Sequence, residues 1–122
     1  MPAVEVFYFQ EDQDKVPLIG WLDQLPAKVQ QKCQVRLERL EAMGNDLRWP
    51  EADYLRDDIY ELRASCHGVH YRMLYFFHGR AAVVVSHGIV KEQRVPPREI
   101  ALAVKRRETF ESCPEKHAFK RK

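Results

Sequence analysis

The chain has 122 residues, 45% of them hydrophobic and 31% charged, which is enough for one hydrophobic core and too little for two. No run approaches the roughly 18 consecutive apolar residues of a membrane span, and no basic segment leads into an apolar one as in a secretion signal, so the expected setting is the cytoplasm with no membrane partner. The net charge of +2 hides an asymmetry: residues 1–62 carry 7 Lys/Arg against 13 Asp/Glu, and residues 63–122 carry 13 against 5.

A basic C-terminal half suits a polyanion, most simply RNA or a ribosomal surface. Attraction between the two halves, or plain solvated charge, is the competing explanation. The three cysteines, Cys33, Cys66 and Cys113, are odd in number and far apart. That spacing argues against a disulfide framework and against a zinc knuckle, and it fits a reducing compartment.

Residues 4–9 (VEVFYF) are β-branched and aromatic and predict a first strand. A polar turn follows over residues 10–15, with Asp14 expected to cap a helix that carries Pro17 in its first turn. Apolar residues then recur at Leu18, Leu22, Leu25, Val29, Cys33, Leu37, Leu40 and Met43, in steps of three and four that mark one helical face. Pro26 divides this run into a short helix to about residue 24 and a longer one that Gly44-Asn45 stops.

Residues 46–57 contain Pro50 and mixed charge and are expected to form a loop. Three strand-like runs follow, over residues 59–66, 69–77 and 81–89, separated by His67-Gly68 and His78-Gly79. The run Ala81-Ala82-Val83-Val84-Val85 is apolar on both faces and predicts a central, covered strand. Residues 97–108 predict a final helix with Ile100, Ala103 and Val104 inward. The expected order is β-α-α-β-β-β-α in one α+β domain over residues 1–110, with the helices on one face of a small, mostly antiparallel sheet. Residues 111–122 are expected to form a loose basic tail.

A two-residue turn at His67-Gly68 places Arg63 directly opposite Arg72, and Ser65 opposite His70. Like charges face to face are unfavourable unless an anion joins them. A two-residue second turn adds His87 to that face, opposite His70 or Arg72, and Lys91 beyond it. A loop of odd length would reverse this parity. Arginine forks suit phosphate, and histidine titrates near neutrality, so the group fits a metal-free RNA-cleaving site. Arg63, Arg72, His87 and Lys91 are the expected catalytic set. His70, Arg94, Arg98 and Lys105 are expected to bind RNA. No paired-metal carboxylate cluster is visible, so no divalent cation or other cofactor is expected. Against this, Arg63 has Glu61 two residues away as a ready ion-pair partner, and strand histidines are commonly structural. Tyr60, Tyr71 and Tyr75 fall on the opposite face, under the helices.

Leu55-Arg56-Asp57-Asp58-Ile59-Tyr60-Glu61-Leu62-Arg63, Tyr71-Arg72-Met73-Leu74-Tyr75, Ser86-His87-Gly88-Ile89-Val90-Lys91, and the spaced Pro96, Glu99, Ile100 and Ala103 together resemble the motifs of one family. It is the phage-derived HigB-like toxins of the RelE/ParE superfamily, over about residues 3–107. Glu92 stands where that family usually has a second lysine, and Ile89 where it has phenylalanine. The resemblance implies a RelE-like fold and a ribosome-dependent messenger endoribonuclease, with Arg63, Arg72 and Lys91 at the family's basic positions. It also implies neutralisation by a helix-turn-helix antitoxin, the toxin being monomeric alone or a heteromer with that partner. Two other functions remain open: a gyrase poison on the same fold, and a non-enzymatic, phage-derived binding module.

Overall fold

The computed structural model describes residues 3–90 and 93–120. Strand β1 (Glu5–Phe9) leads through a polar turn into helix α1 (Pro17–Asp23) and helix α2 (Ala27–Met43). Four strands follow: β2 (Ala52–Arg56), β3 (Ile59–Cys66), β4 (Val69–His78) and β5 (Ala82–Val90). Helix α3 (Pro97–Ser112), a short helix α4 (Pro114–His117) and strand β6 (Ala118–Phe119) complete the chain. The result is α+β, an open six-stranded sheet in the order β2-β3-β4-β5-β1-β6, antiparallel except where β1 runs parallel to β5.

Pro26 caps α2, and Gly44, at φ 55°, ends it. Both breaks fall where the two residue types predict, because proline lacks the N–H that a helix interior needs and glycine tolerates positive φ. Asp14 does not cap α1. It sits at φ 61° in the preceding turn, where it accepts a hydrogen bond from the Gln10 side chain, and α1 starts at Pro17 without a side-chain cap.

The expectation that all helices share one face is corrected by the packing. Helices α1 and α2 bury Leu18, Leu22, Val29, Cys33, Leu37 and Leu40 against Met73, Tyr75, Val83 and Val85 on one side of the sheet. Helix α3 buries Ile100, Ala103 and Phe110 against Phe9, Leu74, Phe76 and Val84 on the other. An amphipathic helix shows which of its own faces is apolar, not which side of a sheet will receive it. Strands β4 and β5 are therefore covered twice, and Val83, Val84 and Val85 are fully buried as the apolar run predicts. The tyrosines also lie as expected: Tyr75 is buried in the core that α1 and α2 cover, and Tyr60 and Tyr71 pack against that core.

Two further differences lie at the sheet's edges. Residues 52–56, expected as loop, pair with β3 as an edge strand, irregular between Tyr54 and Arg56. The proline and charges there suit an edge, where one side of the ladder meets water. The supposedly loose tail is also built in. His117 is buried, stacks on Phe9 and makes a 2.7 Å hydrogen bond through Nδ1 to the Gln10 carbonyl, so that β6 pairs with β1.

Gly88 lies beneath the indole of Trp21 in α1, so closely that a Cβ would enter the ring's van der Waals envelope. The contact seats α1 on β5. Replacing Gly88 with alanine is expected to lower unfolding stability by about 1–3 kcal/mol, the usual cost of overpacking, read as a reduced urea midpoint with an unchanged slope. A midpoint equal to wild type would show that α1 docks by other contacts.

Candidate functional site

The hairpin β3–β4 turns at His67 (φ 52°) and Gly68 (φ 80°), a two-residue turn of the type that matches strand twist. Cys66 then pairs with Val69, Ser65 with His70, and Arg63 with Arg72, the register that turn chemistry predicts. The second hairpin differs. Its loop has three residues, Gly79-Arg80-Ala81, since His78 pairs with Ala82. That odd loop alone would turn His87 to the other face. A register shift between Leu74 and Tyr75 makes Ser86 an extra residue and restores the parity. His87 thus lies on the face with Arg63 and Arg72 after all, opposite Leu74 rather than opposite His70 or Arg72.

The two arginines meet an internal counter-charge. Glu61 is buried, and its carboxylate accepts a 3.1 Å hydrogen bond from Nη1 of Arg63 and faces Nη1 of Arg72 at 3.4 Å. Arg72 is 6% exposed, and its Nε and the Glu61 Oε1 are both buried without a hydrogen-bond partner among the described residues. Among the described residues two guanidinium groups share one carboxylate, so one positive charge is left over, with one donor and one carboxylate oxygen unspent. Buried charges persist only when paired, and an incompletely satisfied cluster is where a ligand gains most. Arg63 is only half-buried, with its guanidinium 4.6 Å from the ring centre of Trp49.

His87 is held differently. Its Nδ1 lies 2.7 Å from Ser86 Oγ and its Nε2 2.9 Å from Glu99 Oε1. A neutral ring with the proton on Nε2 satisfies both contacts, donating to Glu99 and accepting from the Ser86 hydroxyl. Burial pushes its pKa below the usual histidine value. The hydrogen bond to Glu99 opposes that push, and nearby Arg106 reinforces it. With both nitrogens engaged, His87 fastens the first turn of α3 to β5. Neither nitrogen is presented to a ligand.

The other expected residues divide between this face and elsewhere. His70 is half-buried beside exposed Ser65, and it makes no hydrogen bond or ion pair among the described residues. Arg94 is exposed in the turn before α3. Arg98 is exposed in the first turn of α3, 3.7 Å from Glu99. Lys105 belongs to another region, a groove with Glu11, Asp12, Lys15 and Arg106 at the β1 side of α3. Lys91 lies outside the described residues. The sequence reading missed Glu99 as the partner of His87, because a contact twelve residues away across a loop leaves no local pattern. It also missed Trp49, which was absorbed into an expected loop. Among the described residues, no group of His, Cys, Asp and Glu is arranged to hold a metal ion, and no helix is long and apolar enough to cross a membrane.

The lowered His87 pKa sets a pH dependence. The unfolded chain binds a proton at this residue more readily than the folded one, so its contribution to stability is present above about pH 6.5 and is lost as pH falls toward the depressed folded value. Unfolding free energy is expected to drop by at most about 1.4 kcal/mol per pH unit from this group in that range. His87→Gln should flatten that part of the curve. Parallel curves for the two proteins would contradict the assignment.

A family model described as phage-derived protein Gp49-like (DUF891) matches residues 20–108, which runs from the second half of α1 through most of α3 and includes every residue of the arginine and histidine clusters. No curated protein matches the chain.

Proposed function

The chain belongs to the phage-derived Gp49-like family, a RelE-like toxin family, and from that premise we propose that it is the toxin of a toxin–antitoxin pair that cuts messenger RNA on the ribosome. The observation that carries this reading is the Arg63–Glu61–Arg72 cluster, two cations on one carboxylate, with Arg72 Nε and Glu61 Oε1 unspent among the described residues. A backbone phosphate supplies the missing negative charge, and the half-buried Arg63 is the member that reaches it.

Cleavage by the neighbouring 2′ oxygen needs three things. A base takes the 2′-OH proton, cations hold the charge that grows on the phosphorane oxygens, and an acid protonates the departing 5′ oxygen. Arg63, backed by Arg72, serves the second need. His70 is two residues along β4 from Arg72 on the same face, about 7 Å away, and its side chain makes no hydrogen bond or ion pair among the described residues, which suits proton transfer. His87 holds the frame, and exposed Arg94 and Arg98 extend the cationic surface. Lys91, which follows β5 in sequence and lies outside the described residues, is assigned to this set by the family resemblance alone. A helix-turn-helix antitoxin, of the kind the HigB-like resemblance implies, would silence the toxin by covering this end of the sheet.

One observation favours a second reading, a catalytically silent binding module. Glu61 and Glu99 already pair with three of the four residues expected to be catalytic. The two readings separate in cells. Induced wild-type protein is expected to arrest growth and to produce new 5′ ends within a translated messenger and not in an untranslated copy. Arg63→Ala is expected to abolish these ends. Intact messenger with growth arrest would point to another target such as gyrase, and intact messenger with normal growth would favour the silent module.

A further inference from the structure

Trp49 is 64% exposed, more than any other large hydrophobic side chain among the described residues. Its loop is not free to tuck the ring away. Leu47 on one side is buried in the core beneath α2. Glu51 on the other is gripped by Arg36 and Arg39 of α2 at 3.2 and 2.8 Å, and its carbonyl accepts the Arg63 N–H. Those hydrogen bonds and charges hold the Glu51 carboxyl below its usual pKa despite partial desolvation. One face of the indole meets the Arg63 guanidinium, and the ring's exposure places the other toward solvent.

We propose that Trp49 is a base-stacking platform for the RNA nucleotide adjoining the phosphate held by Arg63, an assignment that rests on the reading of this face as an RNA site. An indole offers a wide π surface to any base, and a cation on its far side strengthens the platform. Arg63 then serves twice. Nη1 stays on Glu61, while Nε and Nη2, which make no hydrogen bond among the described residues, reach the backbone of the nucleotide stacked beyond the ring. The Arg63 guanidinium against the ring, with Arg48 next to it in sequence, favours an anionic RNA strand over an apolar protein segment; of the acidic groups in the same stretch, Glu51 is neutralised by Arg36 and Arg39, and Asp53 lines the cleft beside the ring. The selectivity that follows is for single-stranded RNA, whose bases are free to unstack, without strong preference among bases.

The test compares Trp49→Phe, Trp49→Leu and Trp49→Ala with Arg63→Ala and wild type in cleavage of messenger on purified translating ribosomes, each variant checked for an unchanged melting temperature. Trp49→Ala and Trp49→Leu are expected to lose about 5- to 150-fold in the second-order rate, and Trp49→Phe to keep most of it. In parallel, the Trp emission of the wild type, which comes from Trp21 and Trp49 alone, is expected to be quenched saturably by a single-stranded RNA hexamer and not by inorganic polyphosphate. Three results would overturn the stacking role: Trp49→Leu matching Trp49→Phe, polyphosphate quenching as RNA does, or Trp49→Leu leaving cleavage intact while weakening capture of a protein partner. If Arg63→Ala loses cleavage while Trp49→Ala keeps it, stacking fails and the RNase reading stands. If wild type itself cuts nothing, both fail.

Discussion

A sheet covered on both faces admits charged side chains only where a counter-charge or a hydrogen-bond partner comes with them. β4 and β5 are in that position, with α1 and α2 on one side and α3 on the other. Arg72 and His87 stand on these strands and are both nearly buried, and each has drawn a carboxylate: Glu61 from β3 for Arg72, and Glu99 from α3 for His87. The two solutions are unequal. His87 is satisfied on both nitrogens, with its proton affinity lowered so that the ring stays neutral under the helix. The arginine cluster is not satisfied: among the described residues Glu61 is the one carboxylate paired with both cations, and Arg72 Nε and Glu61 Oε1 each lack a hydrogen bond. This difference separates the face into a fastened part under α3 and a receptive part toward the β3–β4 turn.

The receptive part is bounded by features that keep it in place. Arg36 donates to the Arg63 carbonyl at 2.8 Å, so α2 on the far side of the sheet fixes the strand that carries the arginine. Glu51 links α2 to the start of β2 and, through its backbone, to β3. A site on strands braced by a helix holds its geometry better than one on a loop, which is what phosphate recognition by a guanidinium fork requires. The half-buried histidine at position 70 and the exposed indole at position 49 stand at the rim of this braced surface, one across the hairpin and one across the strand edge.

Much of this face was legible in the residues alone. The His67-Gly68 dipeptide is a turn with a mechanism, and it sets the Arg63–Arg72 and Ser65–His70 pairs without reference to anything distant. The face of His87 was reached less securely, since the expected two-residue loop is a three-residue one and the extra residue at Ser86 compensates. Nothing in Ala82-Val83-Val84-Val85-Ser86 reveals that shift, because a strand apolar on both sides has no alternation to mark its phase. The side of the sheet that α3 would cover was equally invisible, as was the partner of His87 at Glu99. Glu61, by contrast, shares a face with Arg63 simply by standing two residues before it. The edge strand over residues 52–56 and the docked tail were hidden by composition, since proline, charge and short length read as loop until a neighbouring strand supplies the ladder.

The central claim is that the surplus positive charge at Arg63 and Arg72 is a phosphate site for messenger cleavage. Its most direct test is the single-turnover rate of messenger cleavage on purified translating ribosomes, with wild type and an Arg63→Ala variant of matched thermal stability at saturating protein. Loss of a preorganised donor to the reacting phosphate predicts a rate lower by about 10²–10³-fold. An Arg63→Ala protein that cuts at the wild-type rate would contradict the claim and leave the arginine pair a purely structural answer to Glu61.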